Sequence, residues 1–250
     1  MPLDEPVLTT APDSRVARLN VQMRHHAARD VISAAIDAVE NLALVSSFGA
    51  ESVALLHLAS RVKKDLPVLF IDTQMLFPET LAYQREVAIN LGLSKIKIIR
   101  APDIATQDPD GTLHQRDPDA CCALRKTAPL DSALQGFDGW ITGRKRFQSG
   151  TREQLPHFEA EVRKDTAAAR IKVNPLAFWS PMDVADYIIE NNLPRHPLVA
   201  RGYPSIGCAP CTTKVMPGED PRAGRWRNQP KDECGIHFAE GRIIRSGALT

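Results

Sequence analysis

Three short apolar runs, at residues 42–45, 68–71 and 96–99, alternate with stretches of helical periodicity. Each run is too short for a helix, and the second, apolar throughout, reads as a strand buried on both faces. A helix is expected through residues 53–62. Pro78-Glu79-Thr80 opens another that reaches about Leu91. Strand, helix, strand, helix, strand is the pattern of a mainly parallel, doubly wound α/β sheet covered on both faces. Upstream, Val16, Leu19, Met23, Ala27, Val31, Ala34, Ala35 and Ala38 recur at helical spacing from Ser14 onward. Downstream, the Asp- and Pro-rich stretch 103–119 reads as a surface excursion. A helix around 121–134, strands at 140–142 and 171–173, and a helix over 181–191 continue the alternation. Beyond Leu193 prolines and glycines crowd in, so an irregular C-terminal segment is expected.

The organisation expected is a loose leader over 1–13, one domain over 14–230 and a mobile segment over 231–250. Apolar residues make up 43% of the 250, enough for a sizeable core. With 31 basic and 30 acidic residues the net charge is +1, which argues against a nucleic-acid track but leaves room for a small basic pocket. No apolar run approaches the roughly 18 residues of a membrane span, and Met1 to Arg15 has no secretory pattern. A soluble, cytoplasmic protein is therefore expected, with no membrane or nucleic-acid partner. A homo-oligomer stays compatible with the sequence.

Five cysteines in a reducing compartment point to metal ligation or catalysis rather than disulfides. Cys121 and Cys122 are adjacent, and Cys208-Ala-Pro-Cys211 follows much later. Four such thiolates suit either a structural zinc or a 4Fe–4S cluster, and the adjacent pair tilts the choice toward iron–sulfur. Cys234 is left over beside Gly235, with His237 three residues on. It fits either an accessible nucleophile or a stray thiol.

Two strand ends carry further candidates. Ser46, Ser47, Phe48, Gly49 and Ser52 form a small-residue turn at the end of the first strand. Such a turn brings backbone N–H groups near a phosphate, although it is also an ordinary tight turn. Asp72-Thr73 ends the second strand and either meets a ribose or base or caps the next helix. Positive charge gathers at Lys126, at Arg144, Lys145, Arg146 and Arg152, and at Arg222, Arg225 and Arg227, which suggests a pocket for a compact polyanion.

Taken together, Cys121-Cys122-Ala-Leu-Arg-Lys126, Cys208-Ala-Pro-Cys211 and Glu233-Cys234-Gly-Ile-His237 resemble the assimilatory adenylyl-sulfate (APS) reductases, the iron–sulfur branch of the APS/PAPS reductase family. The 47–52 turn, Asp72-Thr73-Gln74, the 143–152 loop and Glu219-Asp-Pro-Arg222-Ala-Gly-Arg225-Trp226 match in order. The resemblance spans about residues 40–240. It departs at Gly143-Arg144-Lys145-Arg146, where relatives often carry Gly-Leu-Arg-Arg.

The resemblance implies a sheet of the adenosine-nucleotide hydrolase-like type. It implies a 4Fe–4S cluster on Cys121, Cys122, Cys208 and Cys211, and Cys234 as the nucleophile on a mobile tail. Lys126, Arg222, Arg225 and His237 would meet the phosphate and sulfate of the substrate. Ser46–Ser52 and Asp72-Thr73 would hold the nucleotide, beside the arginine-rich loop of Arg144, Arg146 and Arg152. Thioredoxin would supply the second thiol. The competing expectations are the same chemistry on PAPS, an ATP-using tRNA-thiolation enzyme on a related sheet, and a zinc-stapled binding module.

Overall fold

The computed structural model describes residues 12–162, 169–227 and 231. Its frame is a six-stranded sheet of β1 (Leu42–Ser46), β2 (Val68–Ile71), β3 (Ile96–Ile99), β4 (Gly139–Ile141), β5 (Phe158–Val162) and β6 (Ala169–Val173). The strand order is β3-β2-β1-β4-β6-β5. Every pairing is parallel except β5 with β6, which is antiparallel. The doubly wound α/β class expected from the apolar runs is thus the class observed.

The central strands are wholly or almost wholly buried, because helices cover both faces. The helices are α1 (Pro12–Gln22), α2 (Ala28–Ala38), α3 (Ser52–Val62), α4 (Pro78–Leu91), α5 (Ile104–Gln107), α6 (Leu113–Arg116), α7 (Pro118–Cys122), α8 (Ala128–Ala133) and α9 (Pro181–Glu190). Local chemistry sets their ends. Pro78 sits in the first turn of α4, and Gly92 closes it in the left-handed region at φ 63°. Ser180 and Asp183 form a reciprocal capping box at the head of α9. No helix among the described residues is long and apolar enough to cross a membrane.

Three expectations change. The helical pattern from Ser14 is two helices, broken over residues 23–27, where Met23 N–H and His26 N–H bond only to their own turn. The 103–119 stretch carries α5 and α6 and is anchored inward: Asp108 is 2% exposed. Strand β5 was not anticipated, although Phe158, Ala160 and Val162 do alternate with Glu159 and Glu161.

The order of winding decides where a ligand can sit. From β1 the chain moves outward to β2 and β3, then crosses back to β4 on the other side of β1. The neighbours β1 and β4 therefore send their following loops in opposite directions, opening a crevice at their carboxyl ends.

Candidate active site

A cavity of about 230 Å³ lies in that crevice. Ser46, Ser47, Gly49, Ala50, Glu51 and Ser52, from the β1–α3 turn, form one wall. Ser46 Oγ accepts a hydrogen bond from Phe48 N–H at 3.1 Å, which tightens this turn and holds Phe48 at φ 50°. The Phe48 ring then points down into the core, fully buried and edge-on to Phe70 at 5.2 Å. Phe48 does not line the cavity, and its side chain secures the loop from beneath.

The second wall follows β4 and carries Thr142, Gly143, Arg144, Lys145, Phe147, Gln148 and Arg152. Lys145, one of the cations clustered after β4, is 3% exposed and donates to Glu51 Oε2 at 2.7 Å, joining the two walls. Burial pulls its ammonium below the ordinary lysine range, and Glu51 pulls it back. Arg144 lines the cavity but donates to Asn174 Oδ1 at 3.1 Å and pairs with Glu159. Arg152 bonds to Gln148. Arg146 lines an adjoining cavity instead: its Nε donates to Leu155 O at 2.9 Å and its guanidinium stacks 3.9 Å from the Phe178 ring.

The mouth is made by Pro204, Ser205, Ile206, Pro221, Arg222 and Arg225. Arg222 and Arg225 also line a neighbouring cavity of about 670 Å³, together with Trp226, Arg227 and Lys231. The two cavities thus meet at this arginine pair.

Near Arg225 the four cysteines lie within electrostatic reach of one another. Cys121, Cys122 and Cys208 are buried and Cys211 is partly so. Burial first, then repulsion from Cys122, pushes the Cys121 thiol up to about 11; burial and then Cys208 raise Cys211. Such thiols resist ionising unless a cationic centre joins them. Cations are already close: Arg125 acts on Cys121, and Lys126 and Arg225 act on Cys211. Lys126 is buried on this side and is not among the residues of the cavity wall.

The local fold explains how adjacent cysteines can serve one site. After α7 the helix loosens into a π-turn over Ala123–Thr127 before α8. Cys121, Cys122, Arg125 and Lys126 all become buried on one side. Arg125 ties this helix down by donating to Thr73 O at 3.0 Å and to Asp108 Oδ2 at 2.6 Å.

Asp72 and Thr73 also belong here rather than to the cavity. Asp72 accepts from Arg100 Nε at 2.9 Å, and Thr73 Oγ1 lies 3.2 Å from Cys208 Sγ. Neither residue lines the cavity, and Thr73 contributes to the surroundings of Cys208. Cys234 and His237 lie outside the described residues. Among the described residues, no three or more His, Cys, Asp or Glu side chains gather closely enough to hold a metal ion.

Fold and site define a class: an open α/β sheet with a switch-point crevice whose walls and mouth suit a compact anion. Comparison with known proteins makes the assignment specific, because the chain belongs to the phosphoadenosine phosphosulfate reductase family. Residues 41–214 match that family's reductase domain. The adenosine 5'-phosphosulfate reductase of Mesorhizobium japonicum is 48% identical over 80% of this chain and 77% of its own. That of Chelativorans sp. is 44% identical over 90% and 93%. The phosphoadenosine 5'-phosphosulfate reductase of Gloeobacter violaceus is 41% identical over 79% and 83%. Among solved structures, the phosphoadenylyl-sulfate reductase of Candida auris, a phosphate complex, superposes with a TM-score of 0.69. It is 28% identical, with 81% of this chain and 97% of that one covered.

Proposed function

We propose that the protein is a cytoplasmic, thioredoxin-dependent adenylyl-sulfate reductase of sulfate assimilation, releasing sulfite and AMP from APS through a Cys234 S-sulfonate. One observation carries the reading: Arg222 and Arg225 line both the switch-point cavity and the cavity beside it, and Arg225 also acts on Cys211. A nucleotide lying along the β1–α3 turn would present its phosphosulfate to these cations. The matches to APS reductases over most of the chain support the same substrate.

The sulfur of a phosphosulfate anhydride is electrophilic but surrounded by negative oxygens. A thiolate can approach only if cations neutralise those oxygens in a water-poor site. Arg222 and Arg225 would do this, with Lys126 acting alongside Arg225 on Cys211. The Cys234 thiolate attacks sulfur, the S–O bond to AMP breaks, and AMP leaves with the electron pair. A thioredoxin thiolate then attacks Cys234 sulfur and expels sulfite, leaving a mixed disulfide. The second thioredoxin thiol resolves it and returns Cys234 reduced. His237 would orient the substrate or the tail.

Cys121, Cys122, Cys208 and Cys211 would hold a 4Fe–4S cluster through their thiolates. The chemistry of the donor set suits it: four thiols within electrostatic reach of one another, with Cys121 and Cys211 reluctant to ionise alone and the cations Arg125, Lys126, Arg225 and Lys231 acting on the set. When bound, the group adds local electrostatic order to the cysteine helix, since the proposed steps are thiol chemistry.

The test is sulfite release by anaerobically purified protein with reduced thioredoxin, on APS and on PAPS side by side. Preferred turnover of APS is expected, and a clear preference for PAPS would overturn the substrate assignment. The family includes a PAPS-named relative at 41% identity, so this comparison separates two close readings.

A further inference from the structure

Arg225 is held in a slot. On one side is Gly207, the residue before Cys208. A Cβ placed there would meet Arg225 Nη2 at 2.3 Å and Cζ at 2.6 Å, so the guanidinium lies flat against bare backbone that only glycine leaves open. Trp226 also packs on the guanidinium, with its ring centroid 4.5 Å from Arg225 Cζ. The ring is 3% exposed and also has Lys231 Nζ at 5.7 Å.

Gly207 and Trp226 are both tied to the cysteine turn by backbone. Gly207 N–H donates to Thr212 Oγ1 at 3.2 Å, and that hydroxyl donates to Cys208 O at 2.9 Å. Thr212 pairs with Arg225 as an antiparallel bridge, and Trp226 N–H donates to Cys211 O at 3.1 Å. Trp226 sits at φ 47°, a left-handed conformation that a bulky residue adopts only where its surroundings impose it. That conformation turns its ring back over the side chain of the residue before it.

We propose that Gly207 and Trp226 are positioning residues that clamp the Arg225 guanidinium between the Cys208–Cys211 turn and the tryptophan ring, so that the cysteine turn sets the aim of the substrate-facing arginine. The inference rests on the reading of the crevice as an APS site. Gly207 and Trp226 bring no charge of their own to the substrate. Their effect passes through Arg225, and this separates them from the cavity walls.

The test is a double-mutant cycle on equilibrium APS binding to cluster-loaded protein without thioredoxin, with the visible iron–sulfur absorbance recorded for each variant. Gly207→Ala and Trp226→Leu are expected to weaken binding about tenfold or more with the absorbance retained. Trp226→Phe, which keeps a ring face over the cation, is expected to recover most of that loss. In an Arg225→Ala background Gly207→Ala should cost less than about twofold. Equal losses in both backgrounds would overturn the clamp while leaving the APS reading intact, as would wild-type affinity in both Gly207→Ala and Trp226→Leu. If Gly207→Ala does not fold, the Trp226 pair in the two backgrounds decides alone. Absence of APS binding by the wild type would overturn the reading and the clamp together.

Discussion

Arg125 and Asp108 meet in a buried ion pair, with Nη2 2.6 Å from Oδ2 and both side chains almost fully enclosed. The pair fastens the cysteine helix to a stretch that composition alone marks as surface. Asp108 also accepts from Leu113 N–H at 2.9 Å, so the stretch is folded around the carboxylate. Replacing Asp108 by Asn strands a buried guanidinium and is expected to cost about 3–5 kcal/mol in chemical denaturation. Arg125 holds the Asp108 carboxyl below the usual carboxylate range, against the opposing effect of burial. The pair's contribution is therefore complete above the ordinary carboxylate pKa and is lost as pH falls through the lowered one. An Asp108→Asn protein as stable as wild type would contradict this.

His196 gives the fold a second acid-sensitive point. Its Nδ1 accepts from Leu198 N–H at 3.2 Å, which leaves Nε2 to donate to Thr80 Oγ1 at 3.0 Å. The ring is 1% exposed, and burial lowers its pKa to about 4, with Glu79 opposing. Above 6.5 the ring is neutral in both folded and unfolded chains. As pH falls from 6.5 toward 4 the unfolded chain takes the proton more readily, so stability drops by up to about 3 kcal/mol. Denaturation midpoints across this window should slope in wild type and flatten in His196→Gln. An unchanged slope in the variant would assign the effect elsewhere.

Lys145 joins the two walls of the cavity through Glu51, and its removal should be read in substrate affinity. Lys145→Met keeps the bulk and leaves a carboxylate facing an anionic ligand. KM for APS is expected to rise about tenfold, with kcat changed less. Equal losses in kcat and kcat/KM would instead place Lys145 in the chemical step.

The sheet was legible because buried strands declare themselves as short apolar runs. The bounds of β2 and α4 follow directly from such a run and from Pro78 and Leu91, whereas β3 is an isoleucine-rich edge strand whose Lys97 and Ile98 are exposed. The cysteine set was legible because chemistry-bearing residues at motif spacing carry information that composition does not. Strand β5 was missed although its alternation is present: a five-residue edge strand competes poorly with the charged loop before it.

Side-chain direction was the least legible feature. Phe48 lies in a loop that suits an anion, and nothing local announces that a positive φ drops its ring onto Phe70. Arg146 and Lys145 are adjacent cations, yet one stacks on Phe178 outside the cavity and the other bridges its walls. Those partners come from distant segments, and only the folded chain brings them close. Cations and carboxylates that pair across such distances, like Arg125 with Asp108, leave no local pattern to read.

The central claim is tested most directly by mass spectrometry of anaerobically purified protein incubated with APS, as wild type and as Cys234→Ser. The account predicts a gain of one sulfonate, about 80 Da, on the wild type, absent from the variant and discharged by reduced thioredoxin. Wild-type protein that carries an intact iron–sulfur chromophore yet gains no adduct would contradict it.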